Sequence, residues 1–214
     1  MPSPSTPNSA IDDDISTGAV GSLSAPAVLA AAASTESRQN RPKPASVTAA
    51  LLDQERQAKQ ARQPICLDDL VGLWQLQFTA PQKPTYKSNQ LTANGFYIPA
   101  VAKATLGFAK DTQRPTGVSI QNQLQVLNVK LRFTGPAKLL PKKNVLAFNF
   151  DRLELMLGGL TLVSIPINAA KETVQDFATT PVGKLPFFAF FSAQDRYLAA
   201  RGRGGGLALW TKNG

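Results

Sequence analysis

At 214 residues and 43% hydrophobic content, the chain suits one domain of about 150 residues plus a tail, and its 16 Pro and 15 Gly argue against a helical bundle. It has no His and one Cys, which excludes Ser-His-Asp and Cys-His catalysis, the commonest soft-metal ligand sets and any internal disulfide. Lys and Arg outnumber Asp and Glu 23 to 14; twenty of those cations and ten of those acids follow residue 44, leaving that part at +10 and suited to an anionic membrane surface, nucleic acid or an acidic protein.

Residues 1–44 are rich in Pro, Ser, Thr and Ala, hold Asp12, Asp13 and Asp14, and lack large aromatics; the composition predicts a disordered tail. The uncharged stretch 15–35 is too weakly apolar to span a bilayer, and the three aspartates argue against a secretory or transit signal. Residues 45–64 predict one helix. Ser46 is its expected cap, Val47, Ala50, Leu51, Ala58 and Ala61 recur at helical spacing, and Pro64 stops it. Two readings stay open for it: a brace packed on the rest of the domain, or a basic amphipathic helix on anionic headgroups. Cys66 reads as a small buried apolar residue, and Asp68 and Asp69 as caps or turn residues.

From residue 65 to 214 the pattern is that of strands. Trp74, Leu76 and Phe78 fall on one face, and Leu73, Gln75, Gln77 and Thr79 on the other. Short apolar pieces follow near Gly95–Pro99 and Ala104–Phe108, then a turn at Arg114–Gly117. Val118, Ile120, Leu124 and Val126 share one side; the phase slips at Leu127, predicting a bulge or tight bend at residues 126–128. Gly135-Pro136 and Pro141–Asn144 bracket an expected turn, after which Leu146, Phe148 and Phe150 line one face. Gly158-Gly159 turns into Thr161–Ile167, where Pro166 marks an edge or strand end. Phe187, Phe188, Phe190 and Phe191 make a strand apolar on both sides, and Tyr197–Arg201 with Leu207–Thr211 form a last hairpin joined by glycines. Eight to ten short strands after one N-terminal helix predict an all-β fold, an antiparallel barrel or a sandwich.

Trp74 near the start of the first strand, with Arg201 near the last, suits a small ligand-binding barrel whose indole plugs one end under a guanidinium; a plain core role for Trp74 is the equal alternative. The run Arg201–Gly206 reads first as a glycine-rich turn, with Arg201 or Arg203 available to a headgroup. A single RGG copy inside an apolar hairpin disfavours nucleic acid. No carboxylate pair has spacing that fixes an acid/base couple or a metal site, so the sequence gives no reason to expect an enzyme, a metal or a cofactor. A barrel of about eight strands holds one small apolar ligand or fills itself with side chains. The alternation nominates Trp74, Leu76, Phe78, Ile120, Leu124, Phe148, Phe150 and Ile165 as lining, with Arg201 as polar anchor or as cover over Trp74.

Three segments also carry a family resemblance: Gly72-Leu73-Trp74-Gln75-Leu76-Gln77-Phe78, Asn144–Phe150, and Tyr197…Arg201-Gly202…Gly205…Leu207…Leu209. They resemble the plastid-lipid-associated proteins, or fibrillins, over residues 65–212. The chain departs from that family at Leu198, where a second Arg is usual, and at Ala199, where an acid is usual. The resemblance implies a lipocalin-like barrel over residues 65–214 and a non-catalytic protein that binds a lipid or prenylquinone-like molecule. It further implies a place peripheral to a cyanobacterial thylakoid, or alternatively in a chloroplast. An interaction or assembly factor with a filled barrel and a basic docking face remains the competing expectation.

Overall fold

The computed structural model describes residues 23–34, 40–82, 86–87, 90–91, 95–167 and 174–213. Four helices occur among them: α1 (Ala25–Ala33), α2 (Pro44–Ala61), α3 (Leu67–Leu70) and α4 (Val174–Thr179). The strands are β1 (Gly72–Ala80), β2 (Tyr86–Lys87), β3 (Gln90–Leu91), β4 (Phe96–Tyr97), β5 (Ala102–Lys110), β6 (Val118–Val126) and β7 (Val129–Leu140). After them come β8 (Val145–Phe148), β9 (Arg152–Leu157), β10 (Leu160–Pro166), β11 (Phe187–Ala193), β12 (Tyr197–Gly202) and β13 (Leu207–Lys212).

Eight of these strands close an antiparallel, lipocalin-like barrel in the order β1-β5-β6-β7-β8-β11-β12-β13, with β13 returning to β1. Closure removes the sheet edges of those strands. The twelve-residue β7 belongs to two sheets at once. Its second half pairs β8 inside the ring, while residues 129–134 pair β9, which pairs β10. The handover falls at Gly135-Pro136. These two residues lie inside β7, correcting the turn expected there. Proline has no N–H to donate at the change of partner, and a Cβ on Gly135 would sit 2.1 Å from the Asn149 carbonyl oxygen. The phase slip at Leu127 is a tight hairpin turn between β6 and β7, with Leu127 at φ 54°.

The barrel floor is closed from below. Trp74 has no exposed surface, and its indole N–H donates to the Leu70 carbonyl of α3 at 2.8 Å. Asp69 caps that short helix through the Cys66 N–H at 2.8 Å. Cys66 itself is exposed, correcting the buried reading: as the residue before a capped turn it faces solvent. Above Trp74 the interior holds an aromatic stack. Phe148 lies 5.3 Å from Phe150 and 5.2 Å from Phe188, and Phe190 lies 6.1 Å from Phe188 and 6.0 Å from Phe108.

A second core lies outside the ring, where α1 and α2 cover β1, β11, β12 and β13. Leu29, Ala32, Val47 and Leu51 pack there on Phe78, Phe191, Ala199 and Leu209. Helix α1 lies within the stretch expected to be a disordered tail, of which residues 1–22 and 35–39 are outside the described residues. Alanine has the highest helix propensity, and its small side chains let α1 approach α2 closely. The brace reading holds for α2, which starts at Pro44 behind Lys43 and ends at Arg62 in a left-handed conformation. On the opposite flank, Lys138 donates to the carbonyls of Phe177, Ala178 and Thr180, satisfying the end of α4. Burial there holds the Lys138 ammonium below its ordinary pKa.

Candidate functional site: an apolar cup and its wall

The barrel interior is packed below and open above. At the upper mouth a cup of about 280 Å³ is lined by Leu76, Ala104, Leu106, Phe188, Ala208 and Trp210, with Asn122 as a polar side chain and Gly202 and Gly206 on its rim. Small residues make the space, because Ala104, Ala208 and the two glycines face one another where larger side chains fill the lower barrel. The turn after Gly202 carries Arg203, exposed, whose guanidinium donates to the Lys184 carbonyl at 3.1 Å.

The nominated residues divide by where their strands run. Trp74, Ile120, Phe148 and Phe150 lie in the filled lower interior, and Leu76 reaches the cup. Phe78 does not point inward. A bulge at Gln77, between the pairs Leu76–Trp210 and Phe78–Leu209, flips the rest of β1, so Phe78 faces outward onto the helices and stacks edge-on with Tyr97 at 5.1 Å. Arg41 fixes that bulge by donating to the Gln77 side chain at 3.0 Å.

Arg201 is corrected as well. It pairs with Leu207 on the outward face, opposite in phase to the interior Ala200 and Leu198. Its guanidinium donates to both carboxylate oxygens of Glu55 on α2, at 2.8 and 2.5 Å, and to the Gly205 carbonyl. That pairing holds the Glu55 carboxyl below its ordinary pKa against the opposing pull of burial, with Lys59 assisting, and raises the Arg201 pKa further. The cation over Trp74 is instead Lys212, 5.4 Å from the ring centre. Arg201 therefore clamps a helix to the barrel and neither covers the indole nor enters the cup.

Leu124 and Ile165 lie beyond the ring altogether. From the mouth, the upper parts of β5, β6 and β7 continue with β9 and β10 as a sheet arm. Registers place Ala104, Leu124, Leu131, Leu155 and Val163 across one face, and Val126, Val129, Leu157 and Leu160 across the same face nearer its end. The other face carries Lys103, Gln125, Lys130, Arg132 and Glu154, with Arg132 donating to Glu154 at 2.6 Å. The apolar face is continuous with the cup, yet Leu124, Val126, Val129, Leu157, Val163 and Ile165 are each nearly half exposed. Alternation alone locates these residues on one face; the sequence carries no signal that nothing in the chain's described residues covers it.

A wider basin of about 370 Å³ between α2 and the Pro141–Lys143 turn is lined by Glu55, Lys59, Arg62, Lys142 and Lys143. It is open, with Ala58, Ala189, Phe190 and Phe191 also in its lining beside those charged residues. Among the described residues, no helix is long and apolar enough to cross a membrane, and no three potential metal-ligating acids or thiols gather. Compared with protein-family models and with curated proteins, the chain gives no match.

Proposed function

We propose that this barrel holds one lipid or prenylquinone-like molecule without transforming it, working as a peripheral protein at an anionic thylakoid or plastid membrane. The observation that carries the reading is the unbroken apolar surface from Phe188 and Trp210 in the cup to Leu124 and Val126 on the arm. The cup alone falls just below the range of about 300–1,000 Å³ usual for small-molecule sites. It suits a single ring or a chain end, and the rest of the molecule lies along the arm. Ten methylenes half-buried there contribute about 4 kcal/mol, at about 0.8 kcal/mol per fully buried methylene. Arg203 beside the rim offers a charge-assisted donor to a carbonyl or phosphate head. The resemblance of residues 65–212 to fibrillins and the +9 net charge point the same way.

Native mass spectrometry of protein purified gently from its own host tests this. An adduct of lipid mass, lost when Ala208→Phe fills the cup, is the expected result. Bare protein in every charge state, with the membrane fraction present during purification, overturns it.

One observation favours a second reading. Phe148, Phe150 and Phe190 fill the lower barrel beneath Phe188, so no long chain enters it, and among the described residues β10 presents an unpaired edge with every residue exposed. An assembly factor would use that edge to add a partner's strand. A protein complex that survives delipidation would favour this reading over the carrier.

A further inference from the structure

Five strand ends meet at the tip of the arm. Ala102 pairs Val126, Val126 pairs Val129, Val129 pairs Leu157 and Leu157 pairs Leu160, while the Gly158 N–H donates to the Asn128 carbonyl at 3.0 Å. Beside the ordinary turn residues Asn128, Gly158 and Gly159, large apolar side chains stand exposed at this tip. Val101 is 65% exposed, Leu127 76% and Leu160 68%. Leu127 also holds φ at 54°, a conformation that disfavours a branched side chain. No charged side chain lies at the turns 127–128 and 158–159. One residue behind the strand ends, Lys103 and Lys130 flank Gln125 on the polar face, and neither has an ion-pair partner among the described residues.

We propose that this tip inserts into the acyl boundary of an anionic bilayer, with Lys103 and Lys130 on its phosphates and the apolar face of the arm leading from the membrane to the cup. The inference rests on the membrane part of the function proposed above and names the element that docks. Spacing supports it. At about 3.3 Å per strand residue, the two lysines sit roughly 3–10 Å behind the exposed Val101 and Leu127. The headgroup layer on each side of a bilayer is about 5–8 Å thick, so side chains in hydrocarbon leave the ammonium groups among the phosphates. Protruding, separate turns suit a fluid phase better than a second rigid surface, and cations without partners complement anionic lipid.

The test uses the full chain and vesicles of phosphatidylcholine with and without phosphatidylglycerol. Leu127→Asn with Leu160→Asn is expected to weaken sedimentation with anionic vesicles by about tenfold or more, and Lys103→Gln with Lys130→Gln to weaken it on anionic vesicles only. In a Cys66→Ser background, a bimane label on Leu127→Cys is expected to shift to the blue on vesicle addition, while one on Gln113→Cys at the far end of the barrel stays unshifted. Folding of each variant is checked by its melting temperature. Three results overturn the proposal: unchanged binding by the leucine pair, an unshifted label at position 127 on bound protein, or loss of binding in Lys142→Gln with Lys143→Gln alone. A dimer that dissociates in the leucine pair, without vesicle binding by the parent, assigns the face to a second copy and overturns it too. Lipid adducts in native mass spectra read the cup separately, so a failed tip and a failed carrier give different outcomes.

Discussion

Replacing Arg201 by leucine tests how the helices are held to the barrel. The guanidinium meets both carboxylate oxygens of Glu55, which is 8% exposed. Its removal leaves Glu55 with Lys59 alone, at 3.0 Å and from the same helix. Stranding one member of a buried ion pair costs about 3–5 kcal/mol. The Arg201 side chain is 25% exposed and Lys59 remains, so solvent screening lowers the expected loss to about 2–3 kcal/mol. At about 2–4 °C per kcal/mol, the melting temperature falls by about 4–12 °C. The urea midpoint falls in proportion, with its slope unchanged. Acid narrows the gap. Because Arg201 depresses the Glu55 pKa, the stabilisation is complete above the ordinary carboxylate range and disappears as pH drops through the lower folded value. Parent and variant therefore differ at pH 7 and converge at the acid end of the unfolding series. Glu55→Leu with Arg201→Leu recovers part of the loss, since no charge is then stranded. A midpoint equal to the parent's at neutral pH, or a loss seen only when lipid is present, refutes the clamp.

Trp74→Ala removes the buried indole that closes the floor and is expected to cost about 3–5 kcal/mol by thermal denaturation; unchanged melting would mean that the floor closes without it. Gly135→Ala drives a Cβ into the Asn149 backbone, and an equilibrium loss of about 3 kcal/mol or failure to fold is expected. Ala208→Phe fills the cup, lowering lipid retention severalfold in native mass spectra while the melting temperature holds or rises. Leu127→Asn relieves a strained turn and is expected to raise stability by about 1 kcal/mol in urea, even as vesicle binding weakens.

Much of the barrel was legible in the sequence because burial on one face imposes a period of two. That period puts Trp74, Leu76, Ile120, Phe148 and Phe150 on faces that pack into the interior, and the glycine run at residues 202–206 does join the last two strands, with Gly205 at φ 84°. Two kinds of information were missing. A bulge costs one residue and leaves composition unchanged, so the flip at Gln77 that turns Phe78 toward α2 has no local signature. Partnering across long sequence separation is equally silent: Glu55 and Arg201 lie 146 positions apart, and nothing near either residue names the other.

The arm shows the harder limit. Val126, Val129, Leu131, Leu153 and Leu155 alternate as cleanly as the barrel strands, because alternation records that a face is apolar and not what covers it. In the barrel the cover is the opposite wall; on the arm Val126 and Val129 stay nearly half exposed among the described residues. The residues that separate the two cases stand at turns. A strand interior with Leu or Val is ordinary in either setting, but Leu127 in a left-handed turn and Leu160 beside Gly158-Gly159 incur exposure, and in Leu127 strain as well, that asparagine would avoid. A fold selected for stability alone would carry polar residues at these positions. Their apolar character at the end of a face that leads into the cup ties the two proposals together: if the tip enters a bilayer, an apolar molecule there reaches Ala104 and Leu106 along the arm without crossing water.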